Sequence, residues 1–131
     1  MSKEFVHSIK VYYEDTDSGG VVYYANYLNF LERARSEMIY SFGLSNNKLL
    51  EEHKTLIIVK NCQIEYKKPA KLEDKLQIYS SIESYKKASF TMNQKIMKDK
   101  DIVLKSKIHL VTVSPQGKPI KIPDILKKIF N

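Results

Sequence analysis

Past residue 55, apolar side chains recur at every second position in four successive segments of strand length. The segments span residues 56–66, 72–85, 88–98 and 102–114, and the first alternates at Ile58, Cys62, Ile64 and Tyr66. A period of two is that of a half-buried β-strand. Because residues 86–87 and 99–101 leave room only for short turns, we expect an antiparallel meander.

One long helix is predicted ahead of these strands. From Asn26, a favourable N-cap residue, apolar side chains recur at spacings of three and four until a stop near Gly43. The predicted stripe comprises Tyr27, Leu31, Ala34, Met38 and Phe42, widened by Leu28 and Phe30. Other elements are predicted as a strand at 5–13, a short polar helix or loop at 49–53 and one or two helical turns at 124–130.

The order strand, helix, four strands predicts an α+β fold in which the sheet covers the apolar stripe of the helix. With 131 residues, 43% of them hydrophobic, we expect a single domain over residues 1–131. A sheet wrapped around one helix leaves its other face uncovered, so we expect a dimer or a larger assembly. The longest apolar run, at 21–25, is far shorter than the about 20 residues of a membrane-spanning helix, and no transmembrane segment is expected.

Charge is distributed unevenly along the chain. Residues 1–53 carry five basic and eight acidic side chains, residues 54–131 carry 17 and seven, and the net charge is +7. The C-terminal part is therefore expected to contact an anion: a nucleic acid, a membrane surface or a phosphorylated small ligand. Only Arg33 and Arg35 are arginines, which disfavours sequence-specific reading of nucleic-acid bases.

The beginning of the chain and its cysteine content bear on its compartment and chemistry. Glu4 stands where a signal peptide would begin its apolar region, so we expect a cytoplasmic protein. Cys62 is the only cysteine, which excludes an internal disulfide, and we expect it to be a small buried hydrophobic residue. The sequence contains neither a His-Glu-x-x-His spacing nor a nucleophile elbow, and we expect no metal and no cofactor.

Residues 14–20, Glu-Asp-Thr-Asp-Ser-Gly-Gly, separate the first strand from the helix. As an EF-hand calcium loop the segment fails, since Gly19 and Asn26 fall at positions five and twelve. One interpretation is a plain turn in which Asp bonds nearby N–H groups. The other is acyl transfer, with Asp as nucleophile or general base and the unpaired N–H groups of the helix start stabilising an oxyanion.

Residues 12–27 read YYEDTDSGGVVYYANY. This run resembles the signature of hotdog-fold acyl-CoA thioesterases, most closely the YbgC type within the 4-hydroxybenzoyl-CoA thioesterase family. Similar stretches follow at 30–37, 66–70 and 117–123, so the resemblance covers nearly the full chain. It implies a hotdog fold, one long central helix wrapped by a curved antiparallel β-sheet, in homodimers or homotetramers with active sites at the dimer interface.

The resemblance also implies a reaction and the residues that perform it. The reaction is hydrolysis of acyl-CoA to a free carboxylic acid and CoA, with Asp17 as nucleophile or general base and Asp15 as a turn stabiliser. Backbone N–H groups at the helix start would form the oxyanion hole, with Tyr24 as the best match and Gly20 and Val21 as neighbours. Many YbgC-type members carry histidine where this chain has Tyr24.

Substrate contacts are implied by the same resemblance. The basic turn at Lys86 and Lys87 matches the family's contact with the CoA nucleotide phosphates, with weaker candidates at Lys60, Lys67 and Lys68. Residues expected to line the acyl tunnel are Tyr13, Tyr23, Tyr27 and Asn61, and Tyr27 is expected to serve chiefly in packing.

Two classes of function remain open. The alternative to the enzyme is a non-catalytic module that binds acyl-CoA or acyl carrier protein in lipid and envelope metabolism. Phospholipid-synthesis enzymes are then further partners, and a peripheral position at the inner membrane is implied. The intact Asp17 favours catalysis. RNA binding is disfavoured because the tyrosines cluster near the Asp loop, away from most lysines, and a hotdog dehydratase because that loop lacks histidine.

Overall fold

A computed structural model describes residues 3–131; the first two residues of the segment used to predict the compartment lie outside the described part. The strands are β1 (Phe5–Lys10), β2 (Leu56–Tyr66), β3 (Lys75–Tyr85), β4 (Ser89–Lys98) and β5 (Asp101–Val113). The α-helices are α1 (Asn26–Ser41) and α2 (Asn46–His53), and short 3-10 helices form at Tyr13–Asp15 and Asp124–Phe130. The predicted α+β class is confirmed.

The five strands form one antiparallel sheet in the order β1-β3-β4-β5-β2. The predicted meander is confirmed for β3, β4 and β5, whereas β2 crosses over to pair with β5 at the far edge. The first strand is shorter than predicted, because the chain turns after Val11, whose N–H donates to the Asp74 carbonyl at 2.9 Å. As a result, the segment after β1 lies beside the start of β3.

Helix α1 packs on the inner face of the sheet, mainly over β1 and β3. The predicted apolar stripe is buried at Tyr27, Phe30, Leu31, Ala34 and Met38. Burying one large aliphatic or aromatic side chain in this way stabilises a fold by about 1.5–3 kcal/mol. Leu28 was wrongly predicted as part of the stripe: it is 47% exposed and lies outside the buried face of α1. No helix within residues 3–131 is long and apolar enough to span a membrane.

The inner face of β2 remains largely uncovered. A cavity of about 260 Å³ lies between it, α1 and α2, lined by apolar side chains that include Ile39, Leu49, Ile57, Val59, Met92 and Leu110. Cys62 lies on the same strand and is exposed, so its predicted burial is wrong. The physical reason is that β2 is an edge strand, whereas α1 packs mainly over β1 and β3 at the other edge of the sheet.

A β-bulge at Lys60 interrupts the alternation of β2. The pairing with β5 shifts register between Val59 and Asn61. Ile58 therefore pairs with Val111, and Cys62 pairs with the buried Ile108, three residues away on the partner strand. Because successive residues face opposite sides of a sheet, Ile58 faces outward and Cys62 inward, although a simple period of two places both on one face.

Candidate active site

The Asp loop, residues 14–25, folds as a narrow hairpin that leads into α1. Thr16 pairs with Val22 in an antiparallel bridge. The Asp17 N–H donates to the Val21 carbonyl, and the Tyr23 N–H donates to the Asp15 carbonyl, both at 2.9 Å. These bonds bring the two arms of the loop together, with Asp17 at the turn and Asp15 beside Asn26, the first residue of the helix.

Asp17 is exposed at the turn of this hairpin. Its Oδ1 accepts the Gly19 N–H at 2.8 Å, which leaves Oδ2 without a hydrogen-bond partner in the described part of the chain. Gly20 has a φ of +78°, a conformation that glycine adopts without strain, and its N–H donates to the Asp17 carbonyl at 3.1 Å. The prediction of Gly20 as an oxyanion donor is therefore wrong, because its N–H already donates to a carbonyl within the turn.

Free N–H groups do occur where the chain enters α1. Ala25 is the residue that caps the helix, and among residues 3–131 the N–H groups of Val21, Tyr24 and Ala25 find no acceptor. The unpaired N–H groups and the macrodipole give a helix start a partial positive charge. Tyr24 and Val21 thus keep the donors that the oxyanion prediction requires.

Asn26 and Asp15 stabilise the loop from within. Asn26 was predicted as the N-cap, but it is the first helical residue, and its Nδ2 donates to the Asp15 carbonyl at 3.0 Å. The Asp15 carboxylate is buried and accepts the Tyr12 N–H at 2.9 Å. Asp15 therefore acts as a turn stabiliser, whereas Asp17 is the carboxylate that faces solvent.

A depression beside the start of α1 is lined by three tyrosines, Tyr24, Tyr27 and Tyr66, together with Val22 and Pro69. The Tyr27 hydroxyl accepts the Ala70 N–H at 3.0 Å, and the Tyr66 hydroxyl lies 3.4 Å from the Tyr24 carbonyl. Burial raises the pKa of Tyr27, although the hydrogen bond from the Ala70 N–H acts to lower it, and burial also raises the pKa of Tyr66, so both phenols stay neutral at physiological pH. Tyr66 was not identified as a site residue from the sequence, although the resemblance of residues 66–70 to the thioesterase family pointed to this stretch.

The remaining predicted tyrosines differ in placement. The Tyr23 ring lies 5.0 Å from the Tyr24 ring but does not itself line the depression. Tyr13 is 82% exposed in the 3-10 helix before the loop and does not line the depression. Tyr27 is 3% exposed, which confirms its packing role, and its hydroxyl adds a hydrogen bond that the sequence pattern did not predict.

The predicted lysine contacts lie away from Asp17 within one chain. Lys86 and Lys87 occupy the β3–β4 turn, at the opposite end of the sheet from the Asp loop. Neither forms an ion pair with a carboxylate in the described residues. By contrast, Lys67 and Lys68, which border the tyrosine depression, pair with Glu65 and Asp101.

Lys60 and Asn61 face the outer side of the sheet. They line a polar depression with Thr91, Lys107 and His109, and Asn61 pairs with His109 on β5. Asn61 therefore does not border the tyrosine depression of its own chain. Within residues 3–131, no three His, Cys, Asp or Glu side chains are grouped so as to hold a metal ion.

Comparison with known proteins points to one family. The profile of the thioesterase-like superfamily matches residues 11–130. The acyl-CoA thioesterase YbgC of Haemophilus influenzae is 36% identical over 97% of this chain and 94% of its own. The acyl-CoA thioester hydrolase YbgC of Escherichia coli is 38% identical over 88% of this chain and 87% of its own. A crystal structure of a probable thioesterase from Bartonella henselae superposes with a TM-score of 0.89 and 31% identity, covering 92% of this chain and 100% of that one.

Proposed function

The chain belongs to the thioesterase-like superfamily, and on that premise we propose that it hydrolyses acyl-CoA thioesters to a carboxylic acid and CoA. The observation that carries this proposal is the Asp hairpin, in which an exposed carboxylate and free helix-start N–H groups share one hydrogen-bonded loop. Two YbgC relatives, named as an acyl-CoA thioesterase and an acyl-CoA thioester hydrolase, match this chain over most of their length and support the same reaction.

The proposed chemistry needs two groups at the thioester carbonyl. Asp17 attacks the carbonyl carbon or removes a proton from the attacking water, while the Tyr24 N–H stabilises the oxyanion, with the Val21 N–H as a second candidate. The carbon–sulfur bond then breaks, and CoA leaves as the thiolate. If Asp17 is the nucleophile, water hydrolyses the resulting anhydride; if it is the base, the acid forms directly. Tyr24 contributes its main chain, so a histidine side chain is not required for this step.

We further propose that the active unit is a homodimer formed through β2. This strand lies at the edge of the sheet, spans 11 residues and exposes apolar side chains that include Leu56, Ile58 and Val59. An edge strand of this kind offers unpaired backbone groups to another strand. Pairing of β2 with its own copy would join two sheets, and the uncovered inner face of β2 would then be buried under the second protomer. Tetramers would be built from this dimer.

The dimer explains how the distant lysines serve the site. An antiparallel β2 pair would place the start of one β2 next to the end of the other. Lys86 and Lys87 of one protomer would therefore lie at the same end of the joined sheet as Asp17 of its partner. These lysines have no carboxylate partner in the described structure, so their charge is available for the CoA phosphates. We propose that Lys60 adds a weaker contact with the CoA phosphates.

The resemblance to YbgC-type proteins is the sole basis for four further proposals. These are acyl carrier protein as a partner, phospholipid-synthesis enzymes as partners, a cytoplasmic location and a peripheral position at the inner membrane.

The experiment that tests the proposal is release of CoA, followed with a thiol reagent, from a panel of short, long and aromatic acyl-CoAs. We expect turnover of at least one of them by the wild-type chain. Binding measured by calorimetry without any turnover across the panel would contradict the enzyme and favour the non-catalytic acyl-binding module.

A further inference from the structure

Two neighbouring side chains at the start of α1 hold the Asp hairpin from two sides. The Asn26 Nδ2 donates to the Asp15 carbonyl at 3.0 Å. The Tyr27 hydroxyl accepts the Ala70 N–H at 3.0 Å, and both Tyr27 and Ala70 are almost completely buried. The start of the helix, which follows the proposed oxyanion donor Tyr24, is thereby connected to the hairpin that carries the Asp17 carboxylate.

The contact between Tyr27 and Ala70 reaches Asp17 through a short chain of hydrogen bonds. The Ala70 carbonyl accepts the Val22 N–H at 2.8 Å, and the Leu72 N–H donates to the Gly20 carbonyl at 3.1 Å. Segment 70–72 therefore pairs with residues 20–22, the second half of the hairpin. The Val21 carbonyl in turn accepts the Asp17 N–H at 2.9 Å. The Tyr27 hydroxyl thus fixes one side of the frame in which Asp17 is held.

The phenol itself is held in place by its neighbours. The Tyr27 ring meets the Phe30 ring edge-on, with centroids 6.0 Å apart, and lies 5.8 Å from the Tyr66 ring. Its position is therefore set by packing, and the hydroxyl is presented to Ala70 from a fixed point. The sequence predicts that Tyr27 serves chiefly in packing, and its hydroxyl gives it a second role.

We infer that Tyr27 is a positioning residue for hydrolysis: its hydroxyl, through Ala70, holds Asp17 at its working distance from the Tyr24 N–H. This inference rests on the proposed function. Acyl transfer depends on the geometry between the carboxylate, the carbonyl carbon and the oxyanion donor, and a misplacement of about 1 Å can cost about 100-fold in rate. Removal of the hydroxyl also leaves the Ala70 N–H buried without its partner, so segment 70–72 has to shift to satisfy it.

The test compares Tyr27→Phe, which keeps the ring, with Tyr40→Phe, which removes an exposed hydroxyl from the same helix. Hydrogen–deuterium exchange is first measured without substrate at residues 16–22 and 69–72. CoA release is then measured under saturating and limiting substrate, well below the melting temperature. In Tyr27→Phe we expect faster exchange in both segments, a kcat lowered about 10 to 100-fold and a KM within twofold of wild type. Tyr40→Phe should match the wild type in all three.

A purely structural role for the hydroxyl would lower the melting temperature but leave kcat and loop exchange unchanged, and that result would overturn the inference. A raised KM with normal kcat would overturn it as well. If the wild-type protein releases no CoA, the proposed function is contradicted, while the exchange measurement still decides whether Tyr27 holds the loop. Should Tyr27→Phe fail to fold, exchange of the Ala70 N–H in the wild-type chain decides, and an Ala70 amide that exchanges as fast as an exposed one would contradict the bond to the Tyr27 hydroxyl.

Discussion

The Asp17 carboxylate accepts the Gly19 N–H at 2.8 Å, so the turn that exposes this side chain also fixes its orientation. One oxygen is held and the other is left toward solvent. A carboxylate in this state is oriented before substrate binds, which lowers the entropic cost of reaching the reactive geometry.

Substitution of Gly19 should disturb this orientation directly. A Cβ added at Gly19 would lie 3.2 Å from the Asp17 Oδ1, tighter than an ordinary contact, so the carboxylate has to move by a few tenths of an ångström. We expect Gly19→Ala to lower kcat several-fold with an unchanged melting temperature. Ser18→Ala, an exposed change in the same turn, is the control in the CoA-release assay, and equal rates for the two variants would argue against a held carboxylate.

The dimer proposal predicts different results for two valines of equal exposure. Val59 on β2 and Val6 on β1 are both 47% exposed, one on each edge strand of the sheet. Val59→Lys should produce monomers and lose most activity, because a charge would be buried where the second protomer packs. Val6→Lys should leave both properties unchanged. Light scattering coupled to gel filtration measures the mass, and dimers of Val59→Lys would exclude β2 as the interface.

The charge of the β3–β4 turn should act on substrate binding and leave the chemical step unchanged. We expect the double change Lys86→Ala and Lys87→Ala to raise KM for acyl-CoA several-fold at low salt, with kcat nearly unchanged. The effect should shrink at high ionic strength, where charge interactions are screened. Lys100→Ala, which removes an exposed lysine from the β4–β5 turn, is the control. A pantetheine thioester, which lacks the nucleotide phosphates, should not distinguish the double variant from wild type.

Asp74 should contribute stability that depends on pH. Burial of Asp74 acts to raise its pKa, but the Lys71 N–H at 2.8 Å and the Lys98 ammonium at 2.9 Å outweigh burial and lower the pKa below its ordinary value. A lowered pKa in the folded state means that the stabilisation is complete above the unfolded pKa, about 3.9, and is lost as the pH falls through the folded value.

Asp74→Asn should therefore unfold at lower urea concentration than wild type at pH 7, and the difference should narrow as the pH falls below about 4. Asp124→Asn serves as the control, because it neutralises an exposed carboxylate in the C-terminal 3-10 helix. A difference that stays constant between pH 7 and pH 2 would show that the Asp74 charge is not the source of the stability.

Much of the fold and of the Asp hairpin was predictable because both depend on local patterns. The helix stripe and the strand periods depend on neighbouring residues, and the turn residues around Asp17 depend on the loop itself. The predictions that proved wrong concern residues whose positions depend on contacts with distant parts of the chain, which a local pattern does not contain. Asn26 has a capping side chain, yet its amide reaches back eleven residues to Asp15. The sequence pattern predicts that Leu28 and Cys62 are buried, but Leu28 lies outside the buried face of α1 and Cys62 lies on the edge strand β2.

The bulge at Lys60 and the link between Tyr27 and Ala70 were likewise invisible in the sequence. A bulge changes which face every following residue occupies, and nothing in the composition of β2 marks its position. The hydrogen bond of Tyr27 joins residues 43 positions apart, so only the folded chain brings them together.

The measurement that tests the central claim most directly is the rate of CoA release by Asp17→Asn compared with wild type, on the best acyl-CoA of the panel. Glu14→Gln, which neutralises an exposed carboxylate in the same loop, is the matched control. We predict that Asp17→Asn loses at least 100-fold in kcat while it still binds the acyl-CoA, and that Glu14→Gln stays within twofold of wild type. An Asp17→Asn variant with the same kcat as the wild type would contradict the account, because hydrolysis would then not depend on the carboxylate that the hairpin presents.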